Sequence, residues 1–169
     1  MVVRTKPRGI AAKALATPSE LPPITRLIDS LNAEEIRFIV IGMTAAVLQG
    51  TPVTTFDVDL WIDLPSRQYM RVMNLARKLG AQIVANTVAV LPGDLTINLV
   101  YSVTGLNSFE KEYRNSRTLQ WMERRVAVLP LDRIHRSKSV VRRPKDIAHL
   151  PVLEQTMNLQ RHLRRRNKA

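Results

Sequence analysis

Apolar residues recur along the chain with two periods, one typical of helices and one typical of strands. A spacing of three and four residues predicts a first amphipathic helix, whose apolar positions are Ile24, Leu27, Ile28 and Leu31. The run EIRFIVIG at 35–42 is rich in β-branched residues and ends on a glycine, which predicts a buried strand. The segment DVDLWI at 57–62 alternates polar with apolar residues, so it predicts a strand with one buried face.

The rest of the chain continues this succession of elements. Ser66 is expected to cap a helix over 67–79, and Gly80 follows where such a helix would end. Further strands are predicted at 82–84, 88–91 and 95–101, with one or two more within 118–129. Further helices are predicted at 44–49, 109–114, 131–140 and 145–164. Helices and strands in this order indicate an α/β fold, with a sheet flanked by helices and a helical C-terminal part.

At 169 residues the chain is long enough to bury one core, and nothing in it marks a clear second domain. We expect one domain over 23–160, between a basic, flexible segment at 1–22 and a basic tail at 161–169. No apolar run approaches the roughly 18 residues of a membrane span, and 1–16 lacks the apolar stretch of a secretion signal. The chain has no cysteine, which excludes disulfides and fits a reducing cytosol, so a cytoplasmic location without membrane contact is expected.

The charge balance favours a polyanionic partner. The chain carries 26 Lys and Arg against 14 Asp and Glu, a formal net charge of +12, and nucleic acid is the usual partner of such a surface. The excess lies at the two ends, in Arg4, Lys6, Arg8, Lys13, Arg161, Arg164, Arg165, Arg166 and Lys168. For the ends alone, solvated tails are an equally good interpretation. Aromatic residues make up only 5%, which gives little support to a stacking platform for single-stranded bases.

Asp57 and Asp59 form the strongest candidate site. Residues two apart on a strand point to the same face, so the two carboxylates are expected to lie side by side. They repel each other unless a cation lies between them, and Mg²⁺ prefers oxygen ligands and keeps positions open for phosphate. Phosphoryl and nucleotidyl transfer need such an arrangement, because charge builds on the phosphate during the reaction. For this pattern alone, the alternative is an edge strand with its polar face in water.

The segment before the acidic pair changes the balance between these interpretations. The strand at 35–42 ends on Gly42, and a helix is predicted to begin at once. Backbone N–H groups at a helix start are free to bind phosphate, and a glycine lets the phosphate approach closely. The histidines lack metal-ligand spacing, and no Walker, dinucleotide or hydrolase motif is present, so other site types have no support.

These two segments, IVIGMTAAVLQG at 39–50 and TTFDVDLWID at 54–63, resemble the signature of the DNA-polymerase-β-like nucleotidyltransferase superfamily. The resemblance is greatest to the small bacterial branch that includes the AbiEii-type toxins of abortive-infection systems. LDRIHRSK at 131–138 and RRPKDIAHL at 142–150 are similar to the later part of that branch's pattern, so the resemblance covers roughly 36–150. It implies a nucleotidyltransferase-like mixed sheet flanked by helices, and transfer of a nucleotidyl group from a nucleoside triphosphate with Mg²⁺ as cofactor.

The resemblance also implies roles for individual residues. Asp57 and Asp59 match the catalytic carboxylates that bind the metal. The further catalytic positions implied are Lys138, which matches a lysine that contacts nucleotide phosphates, and Asp146, which together with Lys145 matches a late basic–acidic pair. Asp146 could orient either Lys138 or Lys145. The nucleotide-binding positions implied are Gly42, Met43, Thr44, Thr55 and Lys145. Without the resemblance, Lys138 would be one more solvated cation and Asp146 an acid at a helix N-terminus.

The sequence departs from the family pattern at two of these positions. Met43 replaces a small residue of the phosphate-binding turn. The third carboxylate of the superfamily comes from a later strand, and the matching position in the strand at 95–101 is Asn98. An amide can ligate a metal but cannot act as a base. Asp94, at the start of that strand, is an alternative carboxylate, and Asp63 is expected to be a turn residue.

Two functions of different class follow. In the first, the chain is an enzyme that transfers nucleotides to a hydroxyl acceptor, with an RNA such as tRNA bound through the basic termini, within a toxin–antitoxin or defence system. In the second, it is a relative that has lost turnover and acts as a nucleic-acid-binding or regulatory partner, which Asn98 and Met43 favour. In either case a cognate toxin or antitoxin protein is a candidate partner. The sequence leaves this choice open.

Overall fold

The computed structural model describes residues 21–167, and within them helices and strands follow the order that the sequence predicts. The helices are α1 (Pro23–Ala33), α2 (Gly42–Leu48), α3 (Tyr69–Lys78), α4 (Phe109–Arg114), α5 (Leu131–Val141) and α6 (Pro144–Arg166), with a 3-10 turn at Ser66–Gln68. The strands are β1 (Phe38–Ile41), β2 (Asp57–Ile62), β3 (Gln82–Ala85), β4 (Val88–Leu91), β5 (Leu95–Val100), β6 (Arg117–Trp121) and β7 (Arg124–Val128). No helix in this range is both long and apolar enough to span a membrane.

The strands form one mixed sheet of seven, in the order β3-β4-β5-β2-β1-β7-β6. Strand β2 pairs in parallel with β5 and antiparallel with β1, and β1 pairs in parallel with β7. The remaining pairs are antiparallel hairpins. The expected mixed α/β sheet is therefore confirmed, and the strand that carries Asp57 and Asp59 lies at its centre.

The two faces of β2 have different surroundings. One face is buried in the same core as the apolar sides of α1 and α3, through Val58, Leu60 and Ile62. The opposite face carries Asp57 and Asp59 at its start and Trp61 near its end. The ring of Trp61 meets that of Phe109 from α4 edge-on, with the centroids 5.7 Å apart. Apolar packing therefore fixes most of β2 and leaves only its first residues beside a cleft.

Some element boundaries coincide with the prediction and others shift for identifiable reasons. The strand at 57–62 and the helix at 109–114 have the predicted limits. The strand predicted over 35–42 is shorter, because Glu35 adopts a left-handed backbone (φ 54°) in the turn that follows α1. Helix α2 already begins at Gly42, so the strand ends one residue before the glycine.

The predicted cap at Ser66 is wrong. Pro65 takes the position before the first helical residue, so Ser66 lies inside the 3-10 turn rather than ahead of it. Helix α3 starts only at Tyr69, after Gln68, and no side chain caps it. The predicted helix is thus present as a short tight turn followed by a regular helix.

The sequence predicts basic segments at both ends of the chain. The N-terminal segment expected at 1–22 lies almost entirely outside the described residues. At the other end, α6 continues into the predicted tail at 161–169 as far as Arg166. The arginines of this region project from the last turns of a helix: Arg161, Arg164, Arg165 and Arg166.

Candidate functional site

A cleft of about 930 Å³ opens on the face of the sheet that carries the acidic pair. One side is formed by side chains of β2 and β5, and we call three of them the acidic wall: Asp57, Asp59 and Asn98. The other side is formed by α5 and the start of α6, and we call four of its side chains the helical wall: Lys138, Arg143, Lys145 and Asp146. The fold thus brings distant parts of the sequence to one cavity.

The two carboxylates of the acidic wall share one amide. In the parallel ladder of β2 and β5, Asp59 lies level with Asn98, and Asp57 lies level with Thr96. The Nδ2 group of Asn98 donates to Asp59 Oδ1 at 2.8 Å and to Asp57 Oδ2 at 3.2 Å. The partly positive amide hydrogens therefore lie between two carboxylates that would otherwise repel each other.

Two threonine hydroxyls fix Asp57. Thr55 Oγ1 lies 3.1 Å from Asp57 Oδ1 and 3.2 Å from the Asp57 carbonyl oxygen, and it can donate to either. Thr44 Oγ1, from α2, donates to the same carbonyl at 2.8 Å. The start of β2 is therefore tied to α2, which restricts the rotation of Asp57 away from Asp59.

Gly42 is where α2 begins and where the chain passes close to Asp59. Its φ of +65° lies in the left-handed region, which glycine adopts without strain. A Cβ atom at this position would lie 3.2 Å from Asp59 Cγ and would overlap the Oδ2 oxygen. Glycine therefore permits both the turn from β1 into α2 and the close approach of the carboxylate.

The surroundings of Asp59 disfavour its negative charge. Burial raises the pKa of its carboxyl, and the neighbouring charge of Asp57 adds to the effect. The hydrogen bond from Asn98 and the charges of Lys138 and Lys145 act in the opposite direction without cancelling it. These effects leave the pKa of Asp59 above its usual value, so a cation bound beside this carboxyl would favour its charged form.

Asp146, on the helical wall, has the opposite environment. Its side chain is fully buried, but Lys138 Nζ donates to Oδ1 at 2.9 Å and Arg143 Nε donates to Oδ2 at 2.7 Å. Burial alone would raise its pKa, yet the hydrogen bonds and charges of these two cations outweigh burial and lower the pKa to about 2. Of the two lysines that Asp146 could orient, Lys138 and Lys145, the structure shows it bonded to Lys138.

The connection between α5 and α6 explains this pairing. Arg142 ends α5 in a left-handed conformation (φ 55°), and Pro144 opens α6. A proline is favoured in the first turn of a helix, because its missing N–H would have no partner there. Asp146 lies in the same first turn, where the helix dipole favours an acid, and the tight connection brings it against Lys138.

The acidic wall has side chains that could hold a Mg²⁺ ion. Among residues 21–167, no group of three or more His, Asp or Glu side chains could hold a metal ion. Mg²⁺ is, however, commonly bound through one or two carboxylates together with substrate phosphates and water. Asp57 and Asp59 supply two adjacent carboxylates of this kind. Asn98 directs its NH₂ group at them, so it would contribute an oxygen only after its amide had turned over.

Other residues that the sequence singles out lie outside the cleft or at its margin. Asp94 is exposed in the turn between β4 and β5 and does not line the cleft. Asp63 follows β2 and pairs with Arg37 at 2.6 Å. Thr44 is buried and does not line the cleft, and its hydroxyl contributes only the hydrogen bond to the Asp57 carbonyl. Met43 lines the cleft but is only 7% exposed.

Arg143, His149 and Phe56 also line the cleft, although none of them has a role in the sequence-based prediction. Arg143 and His149 stand three residues before and after Asp146, and this helical spacing is a signal that could have found both. The Nδ1 atom of His149 is buried without a partner among the described residues. Burial, together with the charge of Lys138, lowers the pKa of His149. Phe56 is 83% exposed, and the sequence holds no signal for that.

Solved structures of known proteins share this fold. The solution structure of the antibiotic-resistance factor ANT(2'')-Ia matches over 86% of this chain and 91% of its own, with a TM-score of 0.58 and 13% identity. The lincomycin-bound lincosamide antibiotic adenylyltransferase LnuA matches over 79% of this chain and 96% of its own, with a TM-score of 0.51 and 10% identity. An antigenic nucleotidyltransferase-like protein from Paracoccidioides brasiliensis matches over 78% and 74%, with a TM-score of 0.51 and 14% identity.

No protein-family model matches the sequence, and no curated protein matches it either. The structural neighbours are nucleotidyltransferases or nucleotidyltransferase-like proteins, and at these identities they establish the fold alone. The nucleotidyltransferase fold implied by the sequence resemblance is therefore confirmed, whereas the AbiEii-type branch stays a prediction.

Proposed function

We propose that this chain transfers a nucleotidyl group from a nucleoside triphosphate to an acceptor hydroxyl, with Mg²⁺ as cofactor. One observation carries the proposal: Asp57 and Asp59 lie side by side, with Asp59 against Gly42, in a cleft whose opposite wall holds Lys138. A triphosphate with its metal ion carries charges of both signs. It therefore suits a cavity that has two carboxylates on one wall and a lysine on the other.

The carboxylates and the cations of the cleft have separate roles in this proposal. Asp57 and Asp59 would hold the metal ion, which stabilises the charge that develops on the phosphate during transfer. Lys138 and Lys145 would bind the phosphate oxygens as point charges, and Asp146 would keep Lys138 in position.

The turn and the hydroxyls beside the acidic pair complete the nucleotide site. Gly42 leaves room next to Asp59 that a side chain would fill, and Met43 borders the same space. Thr44 and Thr55 keep Asp57 oriented through its carbonyl and carboxylate oxygens. These residues would therefore shape the phosphate-binding end of the cleft.

The transfer joins the acceptor oxygen to the α-phosphorus, breaks the bond to the β-phosphate and releases pyrophosphate. The acceptor hydroxyl also loses its proton in this step. Asn98 cannot take that proton, because an amide is not a base. We therefore assign the proton to solvent or to a phosphate oxygen of the substrate, and we expect slow turnover.

An RNA such as tRNA is the acceptor that the charge of the chain supports best. The formal net charge is +12, and four arginines project from the end of α6. ANT(2'')-Ia is known in complex with adenylyl-2''-tobramycin, so a small-molecule acceptor is the alternative. Tobramycin is a polycation, however, and a strongly basic chain attracts polyanions in preference. A role like that of AbiEii-type toxins, with a cognate protein partner, would fit an RNA acceptor.

Transfer assays with the full chain test the proposal. Each ribonucleoside triphosphate, labelled at the α-phosphate, is incubated with Mg²⁺ and total tRNA, and labelled RNA and pyrophosphate are measured. We expect Asp57→Ala and Asp59→Ala each to reduce transfer by at least about a hundredfold, because a metal ligand contributes several kcal/mol of transition-state stabilisation. Asp63→Ala is the matched control, since this carboxylate follows the same strand but pairs with Arg37 outside the cleft. Wild-type levels of transfer by a variant that carries both Asp57→Ala and Asp59→Ala would contradict the proposal.

The amide of Asn98 favours a second candidate function, in which the fold binds nucleic acid or regulates a partner without turnover. In that case the Nδ2 group permanently takes the place of a cation between Asp57 and Asp59. We would then expect nucleic-acid affinity that falls steeply with salt, and no labelled product from any triphosphate.

Asn98→Asp separates the two functions, because it adds a third carboxylate and a base at the same position. If the chain is an enzyme, the substitution should speed a transfer that the wild type already performs. If transfer appears only in Asn98→Asp, the wild type is the binding protein of the second hypothesis.

A further inference from the structure

Phe56 exposes an aromatic ring at the candidate site. The chain has three phenylalanines, and the other two are packed. Phe38 is 5% exposed in β1, and the ring of Phe109 has Trp61 and Tyr113 rings at 5.7 and 5.4 Å. Phe56 is 83% exposed and has no aromatic or cation–π partner among the described residues. Because burial of such a ring stabilises a fold, this exposure favours a role outside the core.

The position of Phe56 distinguishes it from an ordinary exposed apolar residue. Single apolar side chains on a surface are common and need no explanation. Phe56, however, lines the cleft and directly precedes Asp57, the first residue of the acidic wall. Val84 is the next most exposed of the large apolar residues, at 65%, and it lies on edge strand β3 away from the cleft.

The backbone on both sides of Phe56 is fixed. Thr55 Oγ1 is within hydrogen-bonding distance of two oxygens of Asp57, and Thr44 Oγ1 donates to the Asp57 carbonyl. The ring is therefore presented from a position tied to both β2 and α2. When a ligand packs on the ring, only the two side-chain torsions of Phe56 lose freedom. The conformational entropy cost of binding at this residue is therefore small.

We propose that Phe56 is a stacking surface for a planar nucleobase at the mouth of the cleft. The inference rests on the proposed function, because it requires a nucleotide to bind beside Asp57. A phosphate chain held between the two walls leaves its base to lie outside them, and Phe56 is the aromatic residue that the cleft offers there. Every base has a π face, so stacking on Phe56 gives binding energy with little preference among bases. The base belongs either to the triphosphate or to an RNA acceptor.

Binding measurements test the proposal without relying on turnover. The affinities of the wild type, Phe56→Ala, Phe56→Tyr and Val84→Ala are measured by titration calorimetry in the presence of Mg²⁺. The ligands are ATP, inorganic tripolyphosphate, a short single-stranded RNA and the same RNA with an abasic 3′ nucleotide. We expect Phe56→Ala to lower the affinity for the ligand whose base stacks on the ring by roughly 5- to 100-fold. Phe56→Tyr, which keeps the ring, should stay within about threefold of the wild type, as should the matched control Val84→Ala.

The ligand pairs identify the source of the base. If the triphosphate supplies the base, Phe56→Ala lowers the affinity for ATP and leaves the affinity for tripolyphosphate unchanged. If the acceptor supplies the base, Phe56→Ala lowers the affinity for the intact RNA and leaves the affinity for the abasic RNA unchanged. Either result supports the proposal.

Equal affinities of the wild type and Phe56→Ala for both ATP and intact RNA would overturn the stacking role. Tripolyphosphate binding by the wild type would then leave the proposed nucleotide-transfer function intact. A wild type that binds neither triphosphate nor RNA would overturn both. Circular dichroism checks that Phe56→Ala is folded, which is expected because the side chain is exposed.

Discussion

Two acids of the same cleft, Asp59 and Asp146, lie in opposite environments. Asp146 is fully buried and accepts hydrogen bonds from Lys138 and Arg143, which outweigh burial and bring its pKa to about 2. Asp59 is less buried, and it shares one amide with Asp57; burial, and then the charge of Asp57, raise its pKa. The less buried acid is therefore the one whose charge is less well compensated.

This difference separates the part of the cleft that stabilises the fold from the part that is available for binding. The helical wall compensates its acid internally, so it contributes to stability and fixes Lys138. The acidic wall would gain compensation if, as proposed, it bound a cation. A ligand that binds only the folded state stabilises it. We therefore expect the increase in stability with added Mg²⁺ and nucleotide to depend on the acidic wall.

The largest expected effects come from neutralising each acid in turn. Asp146→Asn leaves two cations without their buried partner, and we expect the free energy of unfolding to fall by roughly 3 to 5 kcal/mol. Asp59→Asn keeps the shape of the side chain and removes a repulsion, so without metal the free energy of unfolding should change by less than about 1 kcal/mol or rise. Urea unfolding with EDTA present measures both.

The same pair of variants should respond in the reverse order to ligand. Mg²⁺ and ATP added together are expected to raise the Tm of the wild type and of folded Asp146→Asn, and to leave that of Asp59→Asn unchanged. If Asp59→Asn is as unstable as Asp146→Asn, both walls are structural and the comparison fails.

Glycine-to-alanine substitutions sharpen the comparison at the acidic wall. Gly42 and Gly50 both have positive φ, 65° and 94°, so alanine should strain either backbone by about 1 to 2 kcal/mol. A Cβ at Gly50 meets nothing within 4 Å, whereas one at Gly42 overlaps Asp59. We expect Gly42→Ala to lower the free energy of unfolding by about 1 to 3 kcal/mol more than Gly50→Ala, and to abolish the Tm shift with Mg²⁺ and ATP. Equal losses would show that Asp59 withdraws freely.

Acid unfolding should report the compensated acids. Glu112 resembles Asp146: burial would raise its pKa, but hydrogen bonds from Arg133 and Asn107 lower it to about 2. Because both folded pKa values lie below the unfolded values of about 4 to 4.5, their stabilisation is complete only above about pH 5 and is lost as the pH falls towards 2. We expect each to contribute on the order of 2 kcal/mol, measured by urea unfolding across this range. Asp146→Asn should flatten the profile, and an unchanged profile would contradict the pairing.

The smallest expected effect concerns His149, which the helical wall leaves unpaired. Its Nδ1 atom is buried without a partner among the described residues, so a nonpolar ring of similar size removes an unsatisfied group. We expect His149→Phe to keep the free energy of unfolding within about 1 kcal/mol of the wild type or to raise it slightly. A clear loss of stability would mean that Nδ1 has a partner such as an ordered water.

The sequence predicts much of the fold because local patterns decide most elements. The alternation in 57–62 fixes both the limits of β2 and the common face of Asp57 and Asp59. The prediction fails at Ser66, where the preceding proline moves the helix start and removes the need for a cap. Strand order and register are not local properties, so the position of Asn98 level with Asp59 comes from the structure.

The candidate site is harder to predict than the fold. The resemblance implies roles for Lys138 and Asp146, and in the structure these two residues are in contact. Arg143 and His149 are not predicted as site residues, because an arginine or a histidine near a helix start is common on protein surfaces without any functional role. Phe56 escapes for a different reason: a phenylalanine is usually buried, and only the tertiary structure decides its exposure.

The contact between Gly42 and Asp59 makes two distant positions of the gene depend on each other. A side chain at position 42 would overlap the carboxylate of Asp59 where it now lies, so either Asp59 has to move or one of the two residues has to change. The effect of a mutation at either position therefore depends on the residue at the other, so a pairwise mutational scan should reveal strong epistasis between them. We therefore expect replacement of the glycine to be tolerated better after the acid has been lost than before.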